Sequence, residues 1–248
     1  MKQTCFYNRL GILNKSNSLF SQVGIAVLMS FVMLACNPER EENPNIVLIM
    51  GDDIGFSDLG SYGSEIQTPN LDKLAENGIR FRTFYNSAKC NPSRSSLLTG
   101  LYKGNNRAVN IASLLDSAGY TTLHSGKEHF DGWVPDHVYA EHAFDQSFTF
   151  WATTEYFVPP NGEFSRPFFL NGKQLATDEI EVYKKPLYKT EVITDYAIRF
   201  LDQEYDPDIP FFLYLPYHAA HYPLQARPED IAKYLGKYRK GWDSVRQE

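Results

Sequence analysis

Cysteine is scarce in this chain: 248 residues contain three, Cys5, Cys36 and Cys90. So few thiols exclude a disulfide-built scaffold, and the length is enough to bury an apolar core in one or two domains. An excess of positive charge is missing too. The formal net charge is -6, and the leading stretch carries Lys2, Arg9 and Lys15 without an acid, so the rest is more acidic still. That balance excludes a nucleic-acid footprint. Only one extended apolar run stands out, residues 23–35, too short for a firm membrane span and of the right length for the apolar part of an export signal. Internal repeats and low-complexity tracts are absent.

What is there begins with that leader. Residues 1–35 read as a signal peptide, and Met33-Leu34-Ala35-Cys36 resembles a bacterial lipobox. The expectation is a lipid on Cys36, membrane attachment through it, and a place in the bacterial cell envelope, periplasmic or on the outer membrane. Residues 36–44, polar and charged, read as a tether. Cys5 then leaves with the leader and Cys36 is lipidated, so Cys90 has no disulfide partner. A lone thiol in an exported protein calls for a chemical reason.

Residues 45–50 form an apolar, branched run bounded by turn residues, as expected of a buried parallel strand. Gly51-Asp52-Asp53 follows at its carboxyl end, where open α/β sheets place ligands. Adjacent carboxylates are costly unless a cation shares them, and their hard oxygens suit Ca²⁺ or Mg²⁺. Thr68 and Pro69 open a helix that Gly78 closes, and residues 79–85 alternate as a strand would. Then comes Cys90-Asn91-Pro92-Ser93-Arg94-Ser95-Ser96-Leu97-Leu98-Thr99-Gly100. Pro92 fits the first turn of a helix and Ser93 can help cap it. A thiol at a helix start beside Arg94 sits in a positive field.

Cys-x-Pro-Ser-Arg-x-x-Leu-Leu-Thr-Gly is similar to the signature of the type I sulfatases at every fixed position. Gly-Asp-Asp-x-Gly-x-x-Asp-Leu-Gly at residues 51–60, Thr68-Pro69-Asn70-Leu71-Asp72 and Gly126-Lys127-Glu128-His129 resemble further segments of that family. In the last, Glu128 stands where an aromatic residue is frequent. The resemblance implies a mainly parallel α/β sheet flanked by helices, as in the alkaline-phosphatase-like superfamily. It also implies sulfate-ester hydrolysis through a formylglycine that a maturation enzyme makes from Cys90. Asp52, Asp53 and residue 90 would hold Ca²⁺, with Mg²⁺ open. Arg94 would stabilise the aldehyde hydrate, Lys127 the sulfate oxygens, and His129 would take a proton from the second hydroxyl. His221, in Ala220-His221-Tyr222-Pro223, would protonate the leaving oxygen, while His218 has no counterpart.

Elsewhere the pattern predicts a helix over residues 110–118 with Ile111, Leu114 and Leu115 inward, then a strand over 120–125. It also predicts a helix over 191–201, a strand over 210–215 and a helical end over 231–248. Residues 131–175 are aromatic and loop-rich, without one residue marked as a sugar platform. His124, His137 and His142 read as packing or solvent histidines. The resemblance spans about residues 45–248, the first half of a sulfatase catalytic domain, and an Asp-Asn pair that completes the family's metal site is missing after His221. Two alternatives stay open: a phosphomonoester or phosphonate hydrolase of the same superfamily, and an inactive fragment that binds sulfated glycans.

Overall fold

A computed structural model gives the fold for residues 43–102, 107–129, 143–151, 155–159, 162, 164, 166–180, 187–203 and 205–247. The leader, Cys5, Cys36, His137 and His142 lie outside these described residues. The sheet has six strands: β1 (Ile46–Met50), β2 (Thr121–Glu128), β3 (Gln146–Trp151), β4 (Phe168–Leu170), β5 (Lys173–Leu175) and β6 (Phe211–Pro216). Their spatial order is β1-β6-β2-β3-β4-β5. β1, β6, β2 and β3 run parallel, and β4 and β5 complete the sheet antiparallel. The α/β expectation, mainly parallel, holds.

Alternation along β6 divides the core. Leu213 and Leu215 face one cluster with Leu123, Phe148, Phe150 and the helix α4 (Lys189–Gln203), which presents Val192, Ile193, Tyr196 and Phe200. Phe212 and Tyr214 face the other, with Leu98 from α2 (Cys90–Thr99) and Ala112 from α3 (Ile111–Ser117). Helices thus cover both faces, as parallel strands require.

Several local expectations change. Residues 79–85 form no strand; no neighbouring strand is there to pair with them, and Ile79, Phe81, Phe84 and Tyr85 are exposed. Tyr62 instead donates to Phe81 O at 3.0 Å. In α1 (Pro69–Glu76) Thr68 makes no side-chain cap: its hydroxyl oxygen accepts from Gly60 N at 2.9 Å and its hydrogen goes to Asp72 Oδ1 at 2.9 Å. Ser93 does not cap α2 either: Lys89 holds that position, and Ser93 Oγ accepts from Ser87 N at 3.2 Å. In α3 the buried residue is Ala112, packed in the cluster that holds Leu98 of α2, while Ile111 and Leu114 are exposed. The end of the chain is broken into α5 (Pro228–Ala232), a short 3-10 turn and α6 (Trp242–Gln247).

Strand β2 runs three residues further than expected and takes in Gly126, Lys127 and Glu128. Gly126 has φ +141°, and a Cβ there would stand 2.1 Å from Pro216 O on β6. No other residue type fits that crossing without moving one strand.

Candidate active site

The carboxyl ends of β1, β6 and β2 lie side by side, and the chemistry-bearing residues follow each. The fourth contribution comes from the N-terminus of α2, so three strands and one helix build the site. Asp52 follows β1 and is 3% exposed. Lys127 Nζ donates to its Oδ2, and Arg94 Nη2 lies 3.4 Å from its Oδ1. Arg94 Nη1 also donates to Lys127 O at 3.2 Å, so one guanidinium ties α2 to both strand ends. Burial would raise the Asp52 carboxyl, but the Lys127 hydrogen bond and the Arg94 and Lys127 charges outweigh it and hold it below the ordinary carboxylate range.

Asp53, the next residue, turns the other way. Its φ is +56°, which sends the side chain outward, where it is 59% exposed. There Oδ2 stands 4.0 Å from Nε2 of His221. His221 Nδ1 lies 2.6 Å from Tyr222 O. A carbonyl only accepts, so Nδ1 carries the proton and Nε2 is the atom free to exchange one.

Cys90 opens α2, half-buried and unbridged. Its Sγ is 3.2 Å from His129 Nδ1. Beside it, buried Asn91 donates Nδ2 to His129 O at 2.7 Å, which fixes the segment leaving β2. The structure therefore brings together Asp52, Arg94 and Lys127 as one buried cluster, Cys90 and His129 as a pair, and Asp53 and His221 as a second pair.

Three participants escaped the sequence reading. Asn91 occupies the variable position of the signature. His218, 1% exposed, stacks on His221 with ring centroids 5.1 Å apart. Burial, then the charges of Lys189, Lys127 and His221, push it down to about 3, so it stays neutral. Lys189 is buried among Phe150, Phe164 and Phe168, its Nζ 5.0, 4.9 and 5.8 Å from their ring centroids. Burial lowers it to about 7. A lysine in a helix-start pattern gives no sequence signal for that.

A sulfatase family model matches residues 44–248. The chain belongs to the sulfatase family. It is 30% identical over 235 residues to an arylsulfatase of Klebsiella aerogenes, an alignment covering 83% of this chain and 49% of that one. Among solved structures it is similar to Ps i-CgsB in complex with k-i-k-neocarrahexaose: TM-score 0.66, 32% identity, 78% of this chain and 49% of that one. It is also similar to BT4656 in complex with its substrate D-glucosamine-2-N,6-O-disulfate: TM-score 0.60, 27% identity, 78% and 38%. The sulfatase chain thus spans about half the length of the relatives it matches.

The family's metal finds a partial fit. Asp52 and Asp53 are hard oxygen donors, but both Asp52 oxygens already face cations and Asp53 points away. Among the described residues no three His, Cys, Asp or Glu side chains converge on one point. With about six to eight oxygens needed for Ca²⁺, these two carboxylates do not make a cage by themselves. The fit of residue 90 to formylglycine is better: the thiol is unbridged, half-buried, and faces a histidine nitrogen.

Proposed function

We propose that this sulfatase chain carries the nucleophile-bearing half of a sulfuric ester hydrolase acting on sulfated carbohydrate. The supporting observation is the contact of Cys90 Sγ with His129 Nδ1 at 3.2 Å, one helical turn from Arg94 and its buried partners. Oxidation of the thiol by a maturation enzyme would supply a hydrated aldehyde, a nucleophile with two hydroxyls. One hydroxyl would attack sulfur and release the alcohol; His129 Nδ1, the atom Sγ now contacts, would then take the proton of the second hydroxyl, so that the C–O bond to sulfate breaks, sulfate leaves and the aldehyde re-forms. Arg94 and Lys127 set positive charge beside residue 90, where sulfate oxygens gain charge in the transition state. His221, as the doubly protonated ring, gives its Nε2 proton to the leaving oxygen and is left as the neutral Nδ1–H tautomer held by Tyr222 O. No step is assigned to a metal; Ca²⁺ at Asp52 and Asp53 would need further oxygen donors.

A sulfated sugar is favoured over a simple aryl sulfate by the ligands of the two structural neighbours. Co-expression with a formylglycine-generating enzyme, followed by mass spectrometry of the Cys90–Arg94 peptide and sulfate release from a panel of sulfated sugars, tests the reading. Conversion of Cys90 with release from sugars is expected. A faster rate on aryl phosphate would transfer the chain to the phosphoester hydrolases. An unmodified thiol without turnover would leave a glycan-binding fragment.

Export and lipid attachment at Cys36, placing the protein in a bacterial cell envelope, belong to the same proposal. Labelled fatty acid should enter the full chain and not its Cys36→Ala variant.

A further inference from the structure

The turn after β6, residues 217–221, is held from two sides. On one side the backbone of Asp52 grips it: Asp52 N donates to Ala219 O at 2.8 Å, and Ala220 N donates to Asp52 O at 2.7 Å. On the other stands Tyr156, 1% exposed, a residue no part of the reaction above uses. Its single hydroxyl hydrogen is shared between His218 O at 3.1 Å and His221 O at 2.9 Å. Its ring packs on the His218 ring, centroids 4.8 Å apart, and His218 in turn stacks on His221. Tyr156 N donates to Gln225 Oε1 at 3.0 Å, which fixes the turn four residues further on. Tyr156 O accepts from Lys189 N at 2.8 Å, so the phenol is anchored to the start of α4.

We propose that Tyr156 is the positioning residue for His221: its hydroxyl clamps both ends of the His218–His221 turn and so aims Nε2 at the leaving oxygen. The Asp52 backbone fixes the turn's position, and Tyr156 fixes its tilt. Two carbonyls of one turn meet on one buried hydroxyl; without it His218 O keeps only His221 N, at 3.0 Å, and His221 O loses this donor, which makes the contact costly to leave unmade. Burial, with Tyr188, Asp52 and Asp53 nearby, pushes the phenol well above its ordinary range, so it remains a donor. The ring of His218 transmits the constraint by contact alone; it stays neutral and adds no charge against an imidazolium on His221.

The inference rests on the proposed role of His221, and Tyr156→Phe separates the two. The phenyl ring keeps the stacking and removes only the hydroxyl. With sugar sulfates, whose alkoxide leaves poorly without a proton, kcat of the full protein should fall about tenfold to a hundredfold. With 4-nitrophenyl sulfate, whose phenolate leaves unaided, it should fall less than about threefold. KM should hold for both. Equal losses on the two substrates, or none, would overturn the proposal. Nitrogen-detected NMR of the His221 ring provides a readout independent of turnover: the Nδ1–H tautomer should dominate in the unsubstituted protein and mix with Nε2–H in Tyr156→Phe. An unchanged tautomer in a folded variant would overturn it as well. If the unsubstituted protein turns over neither sulfate, the hydrolase reading fails and the NMR result alone decides the positioning.

Discussion

Asp52 and Asp53 are adjacent in sequence and opposite in environment. Asp52 is buried with two cations; Asp53 is exposed opposite a histidine that is itself 30% exposed. One backbone angle separates them, the positive φ at Asp53. The buried pole is built for fixed charge, since Coulomb attraction there is weakly screened and a lost partner is costly. The exposed pole leaves His221 Nε2 open to solvent, where the proposed mechanism needs a proton donor. If that mechanism holds, the site divides its labour between a rigid charge store and a hydrated proton donor.

The largest effect should come from Asp52→Ala, which leaves Arg94 and Lys127 facing each other without a counter-charge. Chemical denaturation should show a loss of about 3–5 kcal/mol. Acid should unload the buried pole next. Asp52 contributes fully above about pH 4 and loses that contribution as pH falls through its lowered folded value. His124, stacked between Phe144 and Tyr214, is held down to about 3 by burial and then Arg94. The unfolded chain takes up its proton below about 6.5 while the folded chain refuses it, so stability falls as pH drops from 6.5 to 3. Replacing it with Phe should flatten that slope by up to about 1.4 kcal/mol per pH unit. Lys189 adds an alkaline counterpart of similar span: with its folded value near 7 and an unfolded one near 10.5, stability should rise between those limits. Lys189→Met should remove the rise, read by thermal melts at pH 7 and 10. The smallest effect belongs to the exposed pole. Asp53→Ala should change stability by less than about 0.5 kcal/mol, and a larger loss would erase the contrast with Asp52.

Much of this was legible in the sequence. Buried parallel strands advertise themselves as branched apolar runs, so the ends of β1 and β6, and with them Asp52, Asp53 and His221, could be placed. Cys90 and Arg94 came as one local unit at a helix start, although Lys89 and not Ser93 holds its cap position. Strand β2 ended later than its apolar pattern, because Gly126 and Lys127 are strand residues for reasons of neighbouring backbone rather than hydropathy. Residues 79–85 failed the other way: alternation announces a strand only where a partner edge waits. Tyr156 and His218 could not be found. Their roles depend on contacts across 62 residues of chain that no local pattern encodes.

The close crossing at Gly126 ties two properties that are usually adjustable one at a time. β2 delivers Lys127 and His129, β6 delivers His218 and His221, and the strands touch where a single added carbon would collide with Pro216 O. A side chain at 126 would push the strands apart and so move the Lys127 end of β2 relative to the His221 end of β6. Along this seam, durability and reactivity share a coordinate. A change at Gly126 would therefore alter the packing of the sheet and the spacing of the proposed site together.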